Sequence, residues 1–150
     1  MPDDGFITLR SAHSARDTIA RLEAALDAKG ITAFAKIDHA AWAVAVGLPL
    51  RPTTLIIFGS PRACTGTPLE LAIERAGTPL MQTSQLVGID LPSKALVWVD
   101  GEGTVWLTYN DPYWVFRRHA LSEQNRQVTG RMRATLTAIA QTATKAGSAS

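Results

Sequence analysis

The chain is poor in the residues that usually announce a chemistry. It has one cysteine, Cys64, so no internal disulfide can form, and a thiolate zinc site would lack its partners. Histidine occurs only at positions 13, 39 and 119, with no HExxH spacing. No GxxxxGK[ST], GxGxxG or GxSxG segment is present, so the phosphate-loop, dinucleotide and nucleophile-elbow signatures are missing. No apolar run reaches the roughly 18 residues of a membrane span. The opening MPDDGFITLR carries two aspartates where a secretory leader would be basic and then apolar. The expectation is a cytoplasmic protein with no membrane association, no metal and no cofactor specified by its sequence.

What remains is an ordinary globular composition, 46% hydrophobic and 19% charged, in 150 residues. A chain of that length forms one domain and buries roughly two thirds of its unfolded surface. Its charge is uneven. Residues 112–150 hold Arg117, Arg118, Arg126, Arg131, Arg133 and Lys145 against Glu123 alone, a net +5 in a chain of net +2. Such a segment can attract phosphates, although arginines along helices commonly form a solvated face.

Phe6–Leu9 has strand character. Ser14 with Asp17 three residues on resembles a capping box, and Ala15, Ile19, Leu22 and Leu26 then mark one helical face that Gly30 can stop. Thr32–Ile37 predicts a second strand. Asp38 can cap a short helix over residues 40–46, whose all-round apolar character predicts burial, with His39 in its first turn. Thr53–Phe58, bounded by proline and glycine, predicts a buried interior strand. Gly66-Thr67-Pro68-Leu69 recurs as Gly77-Thr78-Pro79-Leu80, and eleven residues are close to three helical turns. In both copies threonine before proline suits a helix start.

Residues 94–119 are the densest aromatic and β-branched stretch. Ala95–Val99 is apolar on both faces, which predicts a strand covered on two sides; Asp100-Gly101 signals a hairpin; Thr104–Tyr109 alternates. Asn110-Asp111-Pro112 predicts a turn and a helix start leading into residues 113–121. A last amphipathic helix over about 130–146 is marked by Met132, Leu136, Ile139 and Ala140, before a frayed tail at 147–150.

The segments IDH (37–39), GLPLRPTTLIIFG (47–59), FGSP (58–61), GTPLMQ (77–82), GIDLPSKALVW (88–98), TYNDP (108–112) and RRH (117–119) resemble the bacterial domain-of-unknown-function family 302 over residues 6–121. The resemblance implies a single α+β domain, a mostly antiparallel sheet of about five strands with helices mainly on one face, and a homodimer. It implies no established activity. Residues 63–76 read as an insertion relative to the family pattern.

Without a catalytic signature, the polar set beside the aromatic hairpin suggests a small-ligand-binding or protein-interaction domain. His39, Tyr109, Asn110, Asp111 and His119 are the candidate ligand-binding residues, lining one pocket if the two helix starts meet. For Asn110 and Asp111 the competing role is to shape the turn and cap the helix. Two alternatives stand beside this reading. One is an enzyme using His39 or His119 as acid-base groups with Asp111 as orienting carboxylate. The other is weak nucleic-acid binding through the basic C-terminal segment.

Overall fold

The computed structural model describes residues 4–59, 84–121, 123 and 126–147. The duplicated GTPL segments, the 63–76 insertion and Cys64 lie outside the described residues. Five strands, β1 (Phe6–Arg10), β2 (Thr32–Asp38), β3 (Thr53–Gly59), β4 (Ser93–Val99) and β5 (Val105–Asn110), form one antiparallel sheet in the order β1-β5-β4-β3-β2. The α+β expectation is met, and the Thr53–Phe58 run lies inside the sheet between β2 and β4.

The period-two pattern decides which residues meet the helices. Ile56, Phe58, Ala95, Val97, Leu107 and Tyr109 point to one face and are buried there. Against them pack α1 (Ala15–Ala28), through Leu22 and Leu26, and a long C-terminal helix, α4 (Arg126–Thr144), through Leu136, Ile139 and Ala140. Ser14 caps α1 by accepting from the Asp17 amide at 3.1 Å. The end of α4 is held by the rest of the chain. His13 Nε2 donates to the Lys145 carbonyl at 2.7 Å, and Arg21 donates to the Thr142 carbonyl at 3.1 Å, satisfying carbonyls that a helix end leaves unpaired.

Two sequence expectations fail for one reason: among the described residues, the helices that cover the sheet lie on this face. Ala95–Val99 is not covered on both sides: Ala95 and Val97 are buried, whereas Leu96 and Trp98 are half-buried on the opposite face. There Trp98 stacks on Trp106, with ring centroids 6.2 Å apart. The apolar segment after Asp38 does form a helix, α2 (His39–Ala45), capped by the Asp38 carboxylate accepting from the Ala41 amide at 2.9 Å. None of its residues is buried. It sits past the last rung of the sheet against the end of β3, which half-buries His39, Ala40 and Ala43 and leaves Trp42, Val44 and Val46 exposed.

The hairpin between β4 and β5 is tied by one side chain. Asp100 accepts from the Glu102 and Thr104 amides and from Trp106 Nε1, each at 2.9 Å. The Trp106 bond, then the Thr104 amide, hold its carboxyl below the ordinary aspartate value. Gly103, at φ +84°, supplies the left-handed residue that lets Asp100 N–H reach the Thr104 carbonyl.

Candidate functional site

Strand register sorts the candidate residues onto two ends of the sheet. At one end lie Asp38, Thr53, Trp98, Trp106 and α2; at the other lie Gly59, Ser93, Asn110 and the start of β1. A seven-residue strand separates these ends by roughly 20 Å. His39 is therefore not brought to Tyr109, Asn110, Asp111 and His119, and one pocket lined by all five residues does not form. Its ring instead meets Trp42 edge-on, with centroids 6.1 Å apart.

The other four stay at one end with different surroundings. Tyr109 faces the helices and is buried; burial raises its phenol above its ordinary value, while a hydrogen bond with Thr137 opposes the shift. Asn110 ends β5 opposite Phe6. Asp111 is the N-cap of α3 (Pro112–Arg118), accepting from the Tyr113 amide at 3.0 Å, with Pro112 in the first turn. The capping role weighed from sequence is thus the one it performs. His119 terminates α3, and its side chain is 4% exposed.

A residue that sequence reasoning passed over organises this corner. Asp90 ends a 3-10 helix (Gln85–Asp90) and accepts from His119 Nε2 at 2.5 Å and from Arg118 Nη1 at 3.1 Å. The Arg118 guanidinium also lies 5.5 Å from the centre of the Trp114 ring. The carboxylate paired with His119 is Asp90, not Asp111 as the acid-base alternative supposed. Asp90 stands in GIDLP and Arg118 and His119 in RRH, so the signal was two separate segments whose 29-residue separation hides their contact.

Beneath the corner, Val87, Val115, Leu121 and Met132 form a second small core. Between the two cores is a cavity of about 30 Å³, with Asp90, Ser93, Asn110 and Thr129 among its polar lining. By the measure in which one water needs about 10–15 Å³, it has room for about two waters, too little for an organic ligand. On the outer side of α3, Asp111, Tyr113, Arg117, Glu123, Arg126 and Arg133 border a broad shallow basin of about 610 Å³. Arg133 lies 3.5 Å from Asp111 and 4.8 Å from the Tyr113 ring centre.

The α2 end has another character. Trp42, Val44, Val46, Leu48 and Leu50 are all exposed, Trp42 at 64% and Val46 at 72%. Among the described residues there is no group of three or more His, Cys, Asp or Glu side chains placed to hold a metal, and no helix is long and apolar enough to cross a membrane.

Comparison with known proteins agrees with the architecture. A crystal structure of an uncharacterized conserved protein of the same family from Bacillus stearothermophilus superimposes with a TM-score of 0.75, covering 93% of this chain and 98% of that one, at 17% identity. Two curated relatives are each 44% identical over 119 residues, or 79% of this chain. They are the fluoride-specific ion channels FluC 1 of Brucella suis biovar 1 (strain 1330) and FluC 1 of Brucella abortus biovar 1 (strain 9-941). The match spans 42% and 39% of their lengths, less than half of either. The sequence model of the domain of unknown function DUF302 matches residues 7–139, which carries the family pattern past Leu121 into α4, and the chain belongs to that family.

Proposed function

We propose that this domain is a cytoplasmic protein-interaction module that works as a homodimer, associating through α2 and the loop after it. The observation that carries this is the exposure of a helix with no polar face. A surface helix normally turns a charged stripe to water, yet residues 39–50 contain no Asp, Glu, Lys or Arg. The five exposed apolar side chains amount to an area on the order of 500 Å², at the upper end of what monomers expose and a large part of the roughly 800 Å² that each partner of a stable complex buries. A twofold interface sets a patch against its own copy, so residues near the axis face their like. An uncharged patch meets that condition without repulsion. Binding flat on a membrane would call for a basic polar face, which the segment lacks.

The channel activity named for the Brucella relatives is not carried over, because the chain spans under half of them. The small-ligand alternative draws little support at the 109–119 corner, where the cavity fits about two waters.

Light scattering on the purified protein tests the proposal. The wild type should have twice the chain mass. Trp42→Glu should give a folded monomer, or weaken the dimer at least ~30-fold, the loss expected of a central aromatic anchor worth ~2 kcal/mol. A wild-type monomer across the micromolar range, or a dimer indifferent to Trp42→Glu, would end this reading.

A further inference from the structure

Because residues 39–50 hold no Asp, Glu, Lys or Arg, the charge of the α2 surface rests on one side chain. His39 is the single titratable group of that stretch. Its ring is half-buried at the start of α2 and stands edge-on to Trp42, the bulkiest side chain of the patch, with centroids 6.1 Å apart. Positions 39 and 42 are three apart on a helix and so share a face. An interface that covers Trp42 therefore also takes the water from around the imidazole.

Among the described residues, the groups around His39 offer a charged ring little compensation. α2 packs against the end of β3, and β3 contains no titratable side chain from Thr53 to Gly59. Asp38, the neighbouring carboxylate at the end of β2, is committed to the cap of α2, accepting from the Ala41 amide at 2.9 Å. Further back on β2, Lys36 turns to Glu23 of α1 at 2.9 Å. Arg51, in the loop that follows α2, donates from Nε to the Val99 carbonyl at 3.2 Å and has the same sign as a protonated imidazole.

Histidine is the side chain whose ordinary titration, at about 6.5, falls in the physiological range. In separate chains water hydrates the imidazolium. In an associated pair the same charge is held between apolar surfaces, and a twofold interface admits two such charges together. The dimer thus binds fewer protons than two free chains, so by linkage acid favours the free chains. Association is full above the imidazole range and weakens as pH falls through it.

We propose that the α2 dimer is a pH-sensitive association, opened in mild acid by protonation of His39. This rests on the dimerisation proposed above and adds the means of its control.

Sedimentation velocity over a dilution series of the full chain, at about pH 8 and about pH 5.5, tests it on either side of the imidazole range. The wild-type dissociation constant should rise at least about tenfold in acid, since two protons are linked to one dissociation. His39→Gln keeps a polar side chain of good helical preference that takes up no proton, so its dimer should hold within about twofold at both values. His13 and His119 bond the Lys145 carbonyl and Asp90, elsewhere in the fold, so any acid dependence of their making survives in His39→Gln. A wild-type dimer equally tight at both values, or a His39→Gln dimer that loosens in acid as the wild type does, would overturn the proposal and leave the dimer standing. A wild-type chain that is monomeric at about pH 8 removes the dimer, and this proposal with it.

Discussion

At one end of the sheet the chain pairs charged side chains with one another over a small core; at the other it lays out apolar ones and leaves them uncovered. Asp90 holds His119 and Arg118 over a small core of Val87, Val115, Leu121 and Met132. Trp42, Val44, Val46, Leu48 and Leu50 touch no such core. The first end joins segments far apart in sequence and therefore supports the fold; the second spends apolar surface on nothing within the described chain. Mutation should separate these roles.

The largest effect is expected from Asp90→Ala. It removes the acceptor of a histidine whose side chain is 4% exposed and of a partly exposed arginine, leaving a nearly buried imidazole without its partner. Urea unfolding should show a loss of about 2–3 kcal/mol. Trp42→Glu should leave monomer stability within about 0.5 kcal/mol, as surface changes do. If it unfolds the chain as readily as Asp90→Ala, the two ends do not differ in the way proposed.

Gly5→Ala probes the same corner from the residue before β1. Gly5 has φ +77°, its carbonyl accepts from the Asp111 amide at 2.8 Å, and an added Cβ would overlap the Trp114 ring. Strain and overlap together should cost about 2 kcal/mol, read as a lowered urea midpoint.

Titration contrasts the ends further. Asp100 belongs to the α2 end, and its carboxyl lies below the ordinary value of 3.8. Its contribution is present above that value and is lost as pH falls through the lowered one. Tyr109 belongs to the other end, and its phenol lies above 10.0. Its contribution is full below that value and is lost as pH rises through the raised one. A melting profile against pH should therefore fall on both limbs, with Asp100→Asn flattening only the acid limb and Tyr109→Phe only the alkaline limb. A variant that flattened the wrong limb would show the assignments to be exchanged.

Local signals were readable and distant pairings were not. Ser14, Asp38 and Asp111 announced the three helix starts they cap, because a cap is decided within three residues. The inner-face residues Leu107 and Tyr109 of β5 follow from alternation, the interior place of β3 from its bounded apolar run, and Met132, Leu136, Ile139 and Ala140 from helical spacing. The misplacements concern what lies beyond each segment. An all-apolar helix reads as core because most are, and nothing within residues 40–46 tells that the covering helices lie elsewhere. The same holds for the outer side of β4. Grouping His39 with Tyr109, Asn110, Asp111 and His119 supposes that the two helix starts meet, whereas strand register, which separates them, depends on all five strands at once. Asp90 went unweighed because its partners lie 28 and 29 residues away.

The smallest expected effect concerns how the helices stop. α1, α2 and α3 end alike. The amide two residues past the cap reaches back to the third carbonyl from the helix end: Ile31 to Leu26, Leu48 to Ala43, and Leu121 to Phe116. This closure needs a left-handed residue after the cap. Gly30 and Gly47 fill that position at φ +71° and +78°, but α3 places Ala120 there at φ +48°. A Cβ in that conformation costs about 1–2 kcal/mol. Glycine would relieve the cost, against about 0.4–1 kcal/mol for the greater freedom of its unfolded chain. Ala120→Gly should thus stabilise the protein by a few tenths to about 1 kcal/mol. A matched Gly47→Ala should destabilise by a similar amount, since nothing lies within 4 Å of its added Cβ and only the backbone is strained. If Ala120→Gly is instead destabilising, the methyl group contributes to the His119 corner more than its conformation costs.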